Sequence, residues 1–337
     1  MRCERLLLTR LCRSDLPPPG EVSRLFSARP DCRSLITLAG KHECLPQLFK
    51  ALDRPEAEKA VSRPYLDSLR NHYFCNLKRN LLYEEAVADI LSRAPDGLLA
   101  FKGLALILSV YKDPALRVMS DVDLLARKKD LARFHETLTA AGFRKKPSRH
   151  EEEEAYYSKN AAEQILAIEL HTHVVPARPC PVLPSLWERA AQASLKGRAI
   201  LIPSPEDSLL IAALHIRRHT RRLTLKFLID LHELLLAFPQ MDWDYILRAS
   251  TESRMRNCLY LALALTSELF GEAVPPALKA VKPGGISPLL KNFITPRTVF
   301  DSCPARGYLL RAALFDSFKD AASSARKMLR IRQRTQQ

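Results

Sequence analysis

Ser120-Asp-Val-Asp-Leu-Leu-Ala126 decides the reading of this chain. In an extended segment residues i and i+2 point to the same face, so Asp121 and Asp123 project together while Val122 and Leu124 turn into a core. Paired carboxylates at a strand end suit a hard cation. Mg²⁺ takes one or two protein carboxylates and completes its octahedron with substrate phosphates and water. A third acid follows on the apolar run Gln164-Ile-Leu-Ala-Ile-Glu-Leu-His171. If that run is an adjacent strand, Glu169 meets Asp121 and Asp123 at one site. Three carboxylates can hold two divalent ions about 3.5 to 4 Å apart, the arrangement that clamps the attacking and leaving oxygens of an in-line phosphoryl displacement. Glu169 then ligates the second ion or takes the proton of an acceptor hydroxyl.

Asp-x-Asp alone is weak, because the chain carries a second copy, Asp242-Trp-Asp244. That copy follows Phe238-Pro239 and precedes a helical pattern, so Asp242 is predicted to be a helix N-cap rather than a ligand. Asp121 and Asp123 differ in context. Upstream, Leu98-Leu-Ala-Phe-Lys-Gly103 leads into the helical pattern Leu104-Ala-Leu-Ile-Leu-Ser-Val-Tyr111, a strand, turn and helix in succession. Gly103 lets the backbone approach a phosphate, the new helix turns free N–H groups toward the anion, and Lys102 adds a point charge.

The order Lys-Gly, Asp-x-Asp, Glu resembles the uncharacterised nucleotidyltransferase family of the polymerase-β-like superfamily. The residues that carry it are Phe101-Lys-Gly103, Asp113-Pro-Ala-Leu-Arg-Val-Met-Ser-Asp-Val-Asp-Leu-Leu125 and Ile168-Glu-Leu-His171. It continues through Leu186-Trp-Glu-Arg189, Ile202-Pro-Ser-Pro-Glu-Asp207, Leu214-His-Ile-Arg-Arg-His219 and Lys226-Phe-Leu-Ile-Asp230, and upstream into Asn76-Leu-Lys-Arg-Asn80. The resemblance implies transfer of a nucleoside monophosphate from an NTP such as ATP, with release of pyrophosphate and dependence on Mg²⁺ or Mn²⁺. It makes Asp121, Asp123 and Glu169 the catalytic metal ligands, and Lys102, Gly103, Ser120, His219 and Lys226 the nucleotide-binding residues. Leu104 stands where many superfamily members have a second Gly or Ser, and Ser120 where relatives usually have Gly.

At 337 residues and 47% hydrophobic content, the chain can bury a sizeable core. The apolar run Cys258-Leu-Tyr-Leu-Ala-Leu-Ala-Leu265 is bounded by Arg256 and Glu268, too short for a membrane span. The start, Met1-Arg-Cys-Glu-Arg-Leu-Leu-Leu-Thr-Arg10, has too short an apolar stretch for a secretory signal, so a cytoplasmic location is expected. Eight scattered cysteines without a CxxC pair are expected to be reduced thiols. His171-Thr-His173 and His215-x-x-x-His219 lack a neighbouring Cys or an HExxH pattern, so no metal role is assigned to either pair.

The predicted fold is α+β: a small mixed sheet flanked by N- and C-terminal helical regions. Residues 1–95 are a helical lead-in with a long pattern from Tyr65 to Arg93. Residues 96–175 form the catalytic core, with strands near Phe101, 121–126, Phe143, Tyr156-Tyr157 and 165–171, and helices to Tyr111 and over 129–141. From Pro176 to residue 285 the chain is predicted to be a helical substrate-binding region. Ser204-Pro-Glu-Asp207 starts a helix to about His219, and others follow at 225–237, 243–251 and 254–270, the last closed by Gly271. Residues 286–337 are a basic C-terminal segment after a loop-rich stretch from Pro283 to Pro304.

Net charge is +15, and from Pro304 to Gln337 eight Lys or Arg stand against Asp316 and Asp320, a net +6. Such a segment can steer polyanions, including nucleic acid. A second basic cluster, Arg217-Arg218-His219 with Arg221, Arg222 and Lys226, can stabilise a triphosphate. No helix-turn-helix, zinc finger or RNP-type aromatic motif is present, and aromatics are only 7% of residues. Glu151-Glu-Glu-Glu154 reads as a solvated loop between strands. Two rival readings stand beside the enzyme: a catalytically inactive nucleotide- or partner-binding member of the fold, and a basic nucleic-acid-binding protein. The acceptor, whether small molecule, protein or RNA, is not encoded in these motifs.

Overall fold

Leu98–Phe101 (β1) and Val122–Ala126 (β2) pair antiparallel at the middle of a seven-stranded mixed sheet. The computed structural model describes residues 2–27, 29–54, 61–94, 96–146, 155–174, 183, 185–271, 287–301, 303–323 and 326. The remaining strands are Arg144–Lys146 (β3), Ala155–Ala161 (β4), Gln164–His171 (β5), Ala191–Leu195 (β6) and Arg198–Ile202 (β7), and the sheet order is β3-β4-β5-β2-β1-β7-β6. The pairs β2·β5 and β1·β7 are parallel and the rest antiparallel.

Alternation divides this sheet into two faces. Leu98, Ala100, Val122, Leu124, Ala126, Leu166, Ile168 and Leu170 lie on one face, in the core. Against them pack Val87, Ile90 and Leu91 of the 31-residue helix Arg63–Arg93, Leu104 and Ile107 of Gly103–Ser109, and Phe134 and Leu138 of Leu131–Ala140. Each such side chain, fully buried, is worth about 1.5–3 kcal/mol, enough to fix the register of β2 and send its odd-numbered residues to the other face. Numbered along the chain, Arg2–Leu11, Pro19–Ser27, Cys32–Lys41, Leu45–Leu52 and Arg63–Arg93 are α1 to α5, Gly103–Ser109 is α6 and Leu131–Ala140 is α7.

The chain splits into two compact units. One comprises Met1–Val174 with Leu186–Ser204 and holds the sheet; the other comprises Val175–Ser185 with Pro205–Gln337. In the second, Pro205–Arg218 (α8) begins directly after Ser204, followed by Leu225–Ala237 (α9), Trp243–Glu252 (α10) and Arg256–Phe270 (α11). Asp242 caps α10, its carboxylate accepting the Tyr245 N–H at 2.9 Å. Gly271 closes α11 with a left-handed φ of 70°, the conformation glycine adopts without steric cost.

One hairpin escapes the sequence reading. The hairpin β6–β7 lies where helix was expected after Pro176. Its connection, Lys196-Gly197, has φ of 49° and 75°, the two positive values that a two-residue turn between twisted strands requires. The loop-rich stretch contains the short helices Ser287–Leu290 and Arg297–Phe300. The Glu151–Glu154 run, residues 272–286 and residues 327–337 of the basic C-terminal segment lie outside the described residues. Among those described, no helix is long and apolar enough to cross a membrane, and the cysteines are free thiols.

Candidate functional site

Three neighbouring strands bring Phe101, Asp123 and Glu169 into one row, because Phe101 pairs with Asp123 across β1·β2 and Asp123 with Glu169 across β2·β5. Directly opposed residues share a face, and His171, two residues beyond Glu169, shares it too. Asp123, Glu169 and His171 are all buried, and each offers a ligand atom within 4.8 Å of the others. The His171 Nε2 lies 3.0 Å from Asp123 Oδ1 and 3.4 Å from Glu169 Oε2. The Phe101 ring meets the imidazole edge-on, centroids 5.3 Å apart.

Lys102 completes the group. Its Nζ contacts Asp123 Oδ1 and lies 4.9 Å from the centre of the Phe101 ring. The backbone there is unusual: φ 55° and ψ −123°, a conformation that costs a residue with a β-carbon about 1–3 kcal/mol. The strain turns the chain from β1 into α6 while keeping the ammonium beside the acid. Gly103 serves packing at this turn. A β-carbon there would come within 2.8 Å of Met119 Sδ, so the missing side chain admits Met119, a reason different from close approach to phosphate.

The charges are unevenly compensated. Burial alone would raise the Asp123 carboxyl, but the Lys102 charge and the His171 hydrogen bond outweigh it and hold Asp123 well below the usual carboxylate range. Glu169 is lowered too: burial opposes ionisation, and the His171 hydrogen bond and the Lys102 charge prevail. For His171 burial acts downward, yet hydrogen bonds to both carboxylates raise the imidazole. Asp121, half-buried just before β2, is pushed up to about 7, first by burial and then by the charges of Asp123 and Glu169, with Lys102 and the Ser120 hydroxyl opposing. The Ser120 Oγ donates to Asp121 Oδ1 at 3.2 Å.

Asp121, Asp123, Glu169, Lys102, Gly103 and Ser120 therefore gather in the sheet-bearing unit. His219 and Lys226 belong to the second unit. There His219 stacks on His215 with centroids 4.3 Å apart and lies 5.0 Å from Phe227, while the Lys226 Nζ is 5.4 Å from the Phe227 ring centre. The residue missed by sequence reasoning is His171. Its signal was the spacing from Glu169, i to i+2 on one strand, the same rule that pairs Asp121 with Asp123.

The donor set fits a hard divalent cation. Two of its three clustered donors, Asp123 and Glu169, are carboxylates, and burial, followed by their charges, pushes the Asp121 carboxyl toward protonation; added positive charge would relieve the part due to the charges.

No curated protein matches this chain. Among solved structures, the solution structure of the antibiotic-resistance factor ANT(2'')-Ia aligns with 52% of this chain and 94% of its own, at 13% identity and a TM-score of 0.37. The model of the uncharacterised nucleotidyltransferase family matches residues 29–271, a span that contains the strand row, the buried acids and Lys102. This chain belongs to the uncharacterised nucleotidyltransferase family.

Proposed function

We propose that the chain transfers a nucleoside monophosphate from an NTP to an acceptor hydroxyl in a reaction dependent on Mg²⁺ or Mn²⁺. The observation that carries this reading is the buried cluster of Asp123, Glu169 and His171, with the Asp121 carboxyl, raised by burial and by the charges of Asp123 and Glu169, beside it, in a member of a nucleotidyltransferase family. Asp121, Asp123 and Glu169 would hold the cation, which when bound neutralises the triphosphate and the charge that develops in transfer. The acceptor oxygen forms a bond to the α-phosphorus, the bond to the β-phosphate oxygen breaks, and pyrophosphate leaves. Glu169, ionised at neutral pH, ligates or accepts the acceptor's proton. Lys102 supplies a fixed cation to the phosphates, and His171 fixes the orientation of Asp123 and Glu169 through its hydrogen bonds. Ser120 donates its hydroxyl to Asp121, and Gly103 follows Lys102 at the turn into α6.

Calorimetric titration of each NTP with and without Mg²⁺, on the native chain and on a folded Asp121→Asn, Asp123→Asn double variant, tests the proposal. Metal-dependent binding that disappears in the double variant is the expected result. Binding that ignores both metal and substitution would favour a non-catalytic nucleotide binder. No binding to any NTP would sink the reading.

A further inference from the structure

The long helix α5 carries a polar row that the chemistry above does not use. Tyr73, Asn76, Asn80 and Tyr83, spaced three, four and three residues apart, lie on one helical face. All four reach the segment that leads into β2. The Tyr73 hydroxyl donates to Asp113 Oδ2 at 2.5 Å. The Asn76 Nδ2 donates to the Ala115 and Arg117 carbonyls at 2.7 and 3.2 Å, and the Asn80 Nδ2 to the Pro114 and Arg117 carbonyls at 2.6 and 2.8 Å. One turn further along α5 the same face becomes apolar at Val87 and Ile90, where it meets the sheet.

Tyr83 ends the row at the point that matters for the acids. Its hydroxyl donates to the Ser120 carbonyl at 2.7 Å and accepts the Ala167 N–H at 3.2 Å. In the parallel register Val122 faces Ile168 and Asp123 faces Glu169. One step back, Ala167 would face Asp121 and donate its N–H to the carbonyl of Ser120, the regular parallel pattern. The hydroxyl stands between those two groups instead. The ladder is thus held open by one oxygen atom where β2 and β5 begin to present their carboxylates. Ser120 adjoins Asp121, and Ala167 lies two residues before Glu169. Tyr83 is fully buried, and its ring would fill the core equally well without the hydroxyl.

We propose that Tyr83 is a positioning residue: its hydroxyl, lodged between Ser120 and Ala167, sets the separation of the strand ends that carry Asp121 and Glu169, and so the spacing of the cation's ligands. This inference rests on the metal-holding role proposed above. The test is titration of Mn²⁺ into the native chain, Tyr83→Phe, Tyr157→Phe and Asp123→Asn, at a temperature where all four are folded by circular dichroism, with the electron paramagnetic resonance spectrum of the bound ion recorded at saturation. Tyr157 is the matched control, since it too is buried and hydrogen-bonded through its hydroxyl, to His135 rather than to the acid-bearing strand ends. Tyr83→Phe is expected to weaken Mn²⁺ binding by roughly 10-fold or more, the effect of losing a group that orients ligands, and to change the spectrum. Tyr157→Phe should stay within about twofold of the native chain. Equal affinity and an unchanged spectrum in Tyr83→Phe would overturn the inference, as would equal weakening in both tyrosine variants, which marks general loosening. A native chain that binds Mn²⁺ no better than Asp123→Asn would instead remove the metal reading itself, and this inference with it.

Discussion

Asp121-Val-Asp123 and Asp242-Trp-Asp244 have the same spacing and opposite fates. Val122 lies in the core, and alternation sends Asp123 to the other face, where it meets Glu169 on the next strand, with Asp121 just before the strand close enough to feel both charges. Trp243 begins a helix, on which residues two apart diverge by roughly 200°, so Asp242 and Asp244 cannot converge on an ion. Asp242 serves the Tyr245 N–H instead, and Asp244 sits in the first turn, where the helix dipole favours an acid. A carboxylate pair becomes a candidate site only when backbone alternation and a neighbouring strand concentrate its charge.

The strongest test of this contrast substitutes one residue in each copy. Asp123→Asn is expected to weaken metal-dependent NTP binding by on the order of 100-fold, at least what disturbing an outer-shell partner costs, while the protein stays folded. Asp242→Asn should bind as the native chain does, because asparagine caps a helix about as well as aspartate. Parallel calorimetry of the two variants is the measurement. Equal loss in both would break the distinction between the copies.

A smaller effect, of opposite sign, separates the copies by stability. Asp121 has its folded pKa raised from the ordinary 3.8 to about 7. Between those values the unfolded carboxyl is ionised while the folded one keeps its proton, so stability is lost as pH rises through that window. The full shift corresponds to about 4 kcal/mol, and solvent screening at a half-buried carboxyl leaves on the order of 1–2 kcal/mol. In chelator-treated protein, Asp121→Asn should therefore be more stable than the native chain at pH 8, with the difference narrowing toward pH 5. Denaturant unfolding at both pH values measures it. Adding Mn²⁺ at pH 8 should reverse the order, since only the native site gains stability from binding. A native chain that outlasts the variant without metal would show that burial and the neighbouring charges do not penalise an ionised Asp121.

Much of this was legible in the sequence because local rules govern it. The alternation around Val122 and Leu124, the apolar run ending at Glu169, the cap at Asp242 and the terminator at Gly271 each state their structure within a few residues. The hairpin β6–β7 was less legible. Gln192, Ser194 and Arg198 give short strands a polar surface, and Lys196-Gly197 is a weaker turn signal than Asn-Gly or Asp-Gly. His171 and Lys102 were legible as residues but not as partners of Asp123. The spacing from Glu169 gives His171 its face, but its meeting with Asp123 depends on strand register, and that of Lys102 on a strained φ. The Tyr83 bridge joins residues 37 and 84 positions away, and nothing in the charged and apolar pattern of α5 marks which strands that hydroxyl meets.

The smallest predicted effect returns to the second Asp-x-Asp copy. Asp242→Ala removes the side-chain acceptor that holds the Tyr245 N–H at 2.9 Å, and losing an N-cap costs about 1 kcal/mol. Two contacts survive the substitution. The Asp242 N–H still donates to Glu206 Oε1 at 3.2 Å, and the Tyr245 hydroxyl still donates to Asp207 Oδ1 at 2.6 Å. The start of α10 therefore stays docked, and the loss should fall at or below that figure, a shift of a few degrees at most in thermal unfolding. Metal-dependent NTP binding should be unchanged. If Asp242→Ala instead weakened nucleotide binding as Asp123→Asn does, spacing rather than strand context would be the better guide to this chain's acids.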